Sequence, residues 1–220
     1  MNMSRYRIAG FFWLMTFITG SLALFGNRIV VANNAAATAA NILANESAYR
    51  LGIVTNLVAG LFYLAATVFV YDMLKPVNRN ISLTAAFFSL AGCTISGVSA
   101  ALQFAPLVIL QASQSAELAF LFVRLNRQTF YVVHVFFGLH CLLVGWLILK
   151  STFLPRFVGA LMLFAGLGWL TMSFSSLLAP QFGNSLYPFI MMPGMIGEAT
   201  LCLWLLIAGI NVQRRAEVLA

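Results

Sequence analysis

The chain has 220 residues, 62% of them hydrophobic and only 8% charged, with a mean hydropathy of +0.95. A water-soluble surface cannot be assembled from that composition, so the protein belongs in a membrane, and its length allows one domain. The net charge of +7 comes from 12 basic residues scattered through the connections between apolar runs, a distribution that excludes a nucleic-acid footprint and makes the basic residues markers of orientation.

Spanning segments must satisfy their own backbone hydrogen bonds, and these runs lack the alternation of barrel strands. The expectation is therefore an all-α, polytopic transmembrane bundle with six spans at about 8–25, 51–74, 81–110, 129–149, 157–179 and 187–210. Arg5 and Arg7 precede the first run, an arrangement that suits a secretory leader or a first span. The length of the run, with no small-x-small pattern directly after it, favours a retained span. Thr16 and Gly20 within it have the four-residue spacing of a packing face.

In the first connection, 27–50, Asn34, Thr38, Asn41 and Asn45 share a stripe, which predicts a short interfacial helix. The second span carries Asn56, Gly60, Tyr63 and Thr67 on one face and ends where Asp72 can pair with Lys75 and Pro76 stops the helix. In the third span Ala85, Ser89, Gly92, Ser96, Ser99 and Gln103 recur at intervals of three and four. Such a stripe serves either close helix packing or the lining of a hydrophilic path. The third connection, 111–128, sets Leu118, Leu121, Phe122 and Leu125 against Glu117, Arg124 and Arg127, which predicts a second amphipathic helix lying on the membrane.

The fourth span holds both histidines, His134 on a face with Gly138, Cys141 and Gly145, and His140 beside Phe136, Phe137 and Val144. Six residues apart, they are separated by roughly 9 Å and 120° and cannot share a metal on a straight helix. Cys93, Cys141 and Cys202 form no CxxC pair, so neither a metal site nor a haem or other cofactor is expected. In the fifth span Gly159, Gly166 and Ser173 mark a packing face at seven-residue spacing. The intervals Ala91-Gly92 to Ala105-Pro106 and Ala165-Gly166 to Ala179-Pro180 are equal, a hint of a duplicated hairpin.

The sixth run, YPFIMMPGMIGEATLCLWL, puts Glu198 near its middle. A charged side chain at mid-bilayer costs about 2.5–3.5 kcal/mol unless it is neutral or paired, so a partner or a proton is expected there. Pro193 and Gly194 predict a helix kink just before it. Six spans put both termini on one side with Arg5, Arg7, Lys75, Arg79, Lys150, Arg156, Arg214 and Arg215, against Arg28, Arg50, Arg124 and Arg127 on the other. By the positive-inside rule both termini are cytoplasmic. Counted from the outer ends of their spans, His140 and Glu198 each lie about 16 Å deep, near the centre of the hydrocarbon layer.

The runs AAATAANILANESAYRLGIV, MLKPVNRNISLTAAFF, VFFGLHCLLVGWLILKSTFLPRFVGALM and PGMIGEATLCLWLL cover much of the chain. Together they resemble a large bacterial family of polytopic membrane proteins known as domain of unknown function 4386. The resemblance implies a bacterial plasma (inner) membrane protein and brings no activity, substrate or catalytic residue. His140, Lys150, Pro155, Arg156 and Glu198 lie inside the matching runs, whereas the stretch from Arg127 to His134 departs from the pattern.

Three functions are compatible with these features. In the favoured one, a small transporter or ligand-binding membrane protein, Glu198 takes and releases a proton, with His140, His134, Asn56, Tyr63 and Ser96 as the other candidates for a ligand or proton site. A structural or accessory subunit would use the small-residue stripes to dock a membrane partner or a second copy. A membrane enzyme acting on a lipid or isoprenoid is the third, but HExxH, GxSxG and paired aspartates are lacking. The reading therefore leans away from an enzyme and assigns no catalytic residue. Expected partners are the lipid bilayer and a small-molecule or lipid ligand, with no nucleic acid.

Overall fold

The computed structural model describes residues 4–27, 29–113 and 115–219, which form helices joined by short turns, with no strand among them. In chain order these are α1 (Ser4–Asn27), α2 (Ala35–Ala44), α3 (Glu46–Leu74), α4 (Arg79–Ser113), α5 (Ala116–Lys150), α6 (Arg156–Leu178), α7 (Pro180–Leu186), α8 (Met192–Ile207) and α9 (Val212–Leu219). Arg28, assigned to the outer side by the charge count, lies outside the described residues.

The long helices close into a ring. Each of α1, α3, α4, α5 and α6 packs on the next long helix in the chain, and α8 packs back on α1. Among the described residues five helices are long and apolar enough to cross a membrane, the last of them counted from Phe189. The remaining ring member, α1, has 24 residues and is about 36 Å long, which also exceeds a ~30 Å hydrocarbon layer. The outside of the ring is apolar, with Leu61, Val68, Phe87, Leu167 and Ile207 all exposed. This is a multi-pass membrane protein whose lipid-facing surface is continuous with its composition.

Packing is tightest where glycines face each other. A Cβ on Gly145 would sit 2.8 Å from the Gly159 carbonyl oxygen and one on Gly159 2.9 Å from that of Gly145. Gly138 and Gly166 repeat the relation at 3.1 and 2.7 Å. The seven-residue spacing on both helices puts two such contacts on one antiparallel seam, so α5 and α6 meet backbone to backbone.

Three expectations need correction. The segment 111–128 is not a separate interfacial helix: α4 runs to Ser113 and α5 starts at Ala116, with the Ser115 hydroxyl capping the Leu118 N–H. No Gly or Pro interrupts α5 before Gly138, and the polar side chains find partners in place. Asn126 donates to the Ser99 carbonyl at 2.6 Å and Arg127 to Asn184 at 3.2 Å. The run 187–210 opens with a 3₁₀ turn at Phe189–Met191 and becomes α-helical at Met192, and its segment Phe189–Ile207 is long and apolar enough to cross a membrane. Pro193 therefore stands in the first turn of α8, where its missing N–H leaves no bond broken, and not at an interior kink. Finally, Pro106 lies inside α4 whereas Pro180 begins α7, so the two marks of the suggested duplication have different structural roles.

At the end of the bundle away from the termini, α4 and α5, 35 residues each and about 52 Å long, outrun the hydrocarbon layer. There α2 closes a second apolar cluster around Ile42, Tyr49, Ile53, Leu107 and Leu110. The polar stripe of α2 tethers its own approach loop, since Thr38 bonds the backbone of Val31 and Asn41 donates to the Ile29 carbonyl. At the termini end, Asp72 pairs with Lys75 at 2.8 Å and Arg5 at 3.5 Å and accepts from the Tyr6 hydroxyl. Arg215 is buried beneath, donating to the carbonyls of Asp72 and Met73 with its guanidinium over the Tyr6 ring.

Replacing Gly145 by valine is expected to push α5 from α6 and lower stability by about 1–3 kcal/mol, seen as a lower midpoint in thermal unfolding of the detergent-purified protein. An unchanged midpoint would contradict the seam.

Candidate functional site

Glu198 lies two turns into α8 and is 6% exposed. Its Oε1 accepts from the Trp169 indole at 2.7 Å and from the Cys141 thiol at 3.7 Å, and its Oε2 accepts from the Trp13 indole at 3.2 Å. These donors come from α6, α5 and α1, and none carries a charge. The ion pairs at Asp72 and between Arg50 and Glu46 belong to the two ends of the bundle.

Small residues bring those donors into reach. The Trp169 ring lies flat where a Cβ on Gly194 would overlap it, and Gly197 similarly admits the Leu161 carbonyl. Across the same seam a Cβ on Gly168 would meet Pro193 at 2.7 Å. On the other side Gly10 lets α1 approach the backbone of Leu206 and accept from the Cys202 thiol. Pro193 and Gly194 thus matter as contact points that seat Trp169 against the acid.

His140 and Tyr63 approach the same level from α5 and α3. His140 is 1% exposed and its Nδ1 lies 2.8 Å from the Ala85 carbonyl oxygen. A carbonyl can only accept, so Nδ1 carries the hydrogen and, in the neutral ring, Nε2 keeps the lone pair. That Nε2 has no hydrogen-bond partner, and neither has the buried Tyr63 hydroxyl. The Tyr63 and His140 rings are 5.8 Å apart, and each packs on Trp13, at 5.5 and 6.5 Å. The Tyr63 hydroxyl lies within interaction range of the Glu198 carboxyl without completing a hydrogen bond of normal geometry. Every ring helix therefore supplies a group at this level: Trp13, Tyr63, Ala85, His140 with Cys141, Trp169 and Glu198.

The space on the two sides of this level is unequal. Away from the termini, between α1, α3, α4 and α5, lies a cavity of about 270 Å³ lined by Asn56, Tyr63, Ser96, Gln103, Asn126 and His134, among others. Towards the termini, the gap beside His140, Thr67 and Ser82 is a slit too narrow for a water molecule. Thr67 and Ser89 close it with a 2.6 Å hydrogen bond between α3 and α4.

Of the residues singled out in the sequence, Asn56, Tyr63, Ser96 and His134 line one cavity, while Glu198 and His140 lie outside its wall. The acid and His140 share a level without a hydrogen bond between them, Trp13 packing against His140 and bonding to Glu198. His134 donates from Nδ1 to its own helix at Phe130 and packs on Trp169 at 4.6 Å, so it touches the acid's partner and not the acid. Trp13, Trp169 and Asn126 belong to the site without having stood out as site residues in the sequence, whereas Ser99 and Gln103 come from the polar stripe of α4. The two tryptophans had a readable signal: an indole N–H is donor-only, and one placed inside an apolar run needs an acceptor. Among the described residues, no three His, Cys, Asp or Glu side chains gather as a metal ligand set.

A family described as Domain of unknown function (DUF4386) matches residues 8–209. The chain belongs to that family. The DUF4386 chain is also 26% identical over 153 residues to an uncharacterized protein of Archaeoglobus fulgidus, an alignment covering 66% of this chain and 76% of that one. No solved structure matches it.

In this DUF4386 protein, Trp169→Phe keeps the ring and removes the N–H. It is expected to lower stability by about 1–3 kcal/mol, and the loss is expected to shrink in a Glu198→Leu background, where the acceptor is gone. Unfolding of the four variants in a double-mutant cycle checks this; a coupling near zero would disprove the bond.

Proposed function

We propose that the protein binds a small molecule in the cavity between α1, α3, α4 and α5 and couples its binding or passage to protonation of Glu198. The observation that carries this reading is the juxtaposition of a 270 Å³ cavity, walled at its inner end by Tyr63, with a buried carboxyl held by neutral donors just beyond that wall. Intramembrane acids facing a bundle interior mark ion and substrate pathways, and pockets with a few convergent polar groups mark ligand sites. An acid needed only for packing would not require a polar cavity alongside it.

The cavity lining also argues for the class of ligand. Asn56, Ser96, Ser99, Gln103 and Asn126 offer uncharged hydrogen-bonding groups, Phe130 and Phe137 offer apolar faces, and no Asp, Glu, Lys or Arg lines it among the described residues. A small uncharged solute with a polar and an apolar side suits it. The glycine seam of α5 and α6 is spent inside the ring, which removes the most prominent small-residue stripe from the docking face that an accessory subunit would need. The distribution of basic residues supports an orientation with the termini, and so the slit, on the cytoplasmic side, and the resemblance to a bacterial family points to a bacterial plasma membrane.

Gly60 supplies the test, since it lines the cavity and a Cβ there meets nothing within 4 Å. Gly60→Leu is expected to fill the cavity without unfolding the protein. In a thermal-shift screen of small uncharged metabolites, a solute at about 100 times its Kd stabilises the wild type by roughly 2.7 kcal/mol and should leave Gly60→Leu unmoved. Glu198→Gln should abolish the pH dependence of that shift. A full screen without a hit, or hits that Gly60→Leu retains, would overturn the reading.

A further inference from the structure

Among the described residues two buried side-chain polar atoms have no partner, Tyr63 Oη and His140 Nε2, and their rings lie 5.8 Å apart, both packed on Trp13. Unpaired buried groups in a packed interior call for an explanation, and here chemistry supplies one. A phenol is both donor and acceptor, whereas the neutral Nε2 is an acceptor only. Tyr63 also reaches both compartments: it lines the cavity and its hydroxyl is within interaction range of the Glu198 carboxyl and the Cys141 thiol. From the cavity wall Tyr63 packs at 5.5 Å on Trp13, whose indole N–H bonds Glu198 Oε2.

We infer that Tyr63 is the proton relay through which Glu198 exchanges protons with the cavity, and that His140 Nε2 is the resting acceptor for the Tyr63 hydroxyl when Glu198 already holds its proton. In the loading step a hydronium ion in the cavity gives a proton to Tyr63 Oη and is left as water, while the hydroxyl's own proton passes to a carboxylate oxygen of Glu198. One O–H bond forms and one breaks at Oη, so Tyr63 ends unchanged and Glu198 ends as the neutral acid. Unloading is the reverse. The groups facing Glu198 from the other elements are Trp13 of α1, Cys141 of α5 and Trp169 of α6, with Cys202 on α8 itself. The indoles cannot shuttle a proton, and the thiols lie away from the cavity lining. The slit on the termini side admits no water, which leaves the cavity as the route of entry. This inference takes from the proposed function only that Glu198 gains and loses a proton.

The test is hydrogen–deuterium exchange at Glu198, followed by infrared spectroscopy of the full-length protein in proteoliposomes. The carboxylic-acid C=O band of Glu198 is assigned by its loss in Glu198→Gln, and its isotope shift is timed after transfer to D₂O. Removing the hydroxyl with Tyr63→Phe is expected to slow that shift by roughly 100-fold, the lower end of what a positioned proton-transfer group contributes. Gly60→Leu keeps the hydroxyl but fills the cavity, and is expected to slow the shift as well. If Tyr63→Phe does not fold, the rate in Gly60→Leu decides the matter by itself. Exchange at the wild-type rate in a folded Tyr63→Phe, or in Gly60→Leu, would overturn the relay. Slow exchange in both variants supports it even if the solute screen finds nothing, so failure of the ligand reading stays distinguishable.

Discussion

Two indole N–H groups closing on one carboxyl organise this bundle. An arginine or lysine partner would neutralise an intramembrane acid and hold it in one charge state. Trp13 and Trp169 satisfy the oxygens of Glu198 without supplying a countercharge, so the carboxyl can exist with or without its proton while its neighbours stay where they are. This arrangement sets strict distances. An indole is large and its donor sits at the edge of the ring, so α6 and α1 must come close to α8, and glycines at 168, 194, 197 and 10 stand at the points of closest approach. Bulk at any of these positions would act on the carboxyl's hydrogen bonds before it acted on the outer surface.

The same level divides the molecule into halves with different packing. Towards the termini, helices are joined by Thr67 and Ser89, by the Asp72 cluster and by Arg215 under Tyr6, a set of polar contacts that cross-links α1, α3, α4 and α9. Away from the termini, α1 and α3 carry Gly20 and Gly60 with open space before them, and the cavity takes the volume that side chains would otherwise fill. The cap formed by α2 and the projecting ends of α4 and α5 keeps that half folded without filling it. The ties at the termini end are interlinked, since the Tyr6 hydroxyl bonds Asp72 while Arg215 bonds the Asp72 carbonyl and lies over the Tyr6 ring.

Much of this is legible in the chain, for physical reasons that also explain what is not. Hydrophobic runs set the helix count because a spanning backbone has few alternatives, and Glu198 stands out because a carboxyl in such a run must find a partner. The stripe in α4 admits two readings and uses both: Ala85, Ser89 and Gly92 pack, with Phe137 lying over Gly92, while Ser96, Ser99 and Gln103 line the cavity. Periodicity identifies the inward face but carries no information on how far the facing helices stand apart. The full length of α5 is hidden because Asn126, Arg124 and Arg127 suggest a change of environment. The helix continues, and Asn126 and Arg127 meet their partners in Ser99 and Asn184. Pro193 falls in the expected segment with a different role, because a proline in a first turn and one in an interior turn look alike until the helix start is known.

The uncharged lining of the cavity bears on what can move through it. A charged solute entering this space would lose hydration and find only amides, hydroxyls and aromatic faces, which do not recover the solvation of an ion. A neutral solute would meet a smaller barrier, because the Asn, Gln and Ser side chains of the lining can offer it hydrogen bonds. In the proposed function charge would then be carried by a proton alone, on Glu198, with Tyr63 in the cavity wall between it and the solute. In that division of labour the cavity selects by hydrogen bonding and shape. On the proposed function Glu198 would report the proton activity of the side from which the cavity fills, and neither role would require the solute to touch the acid.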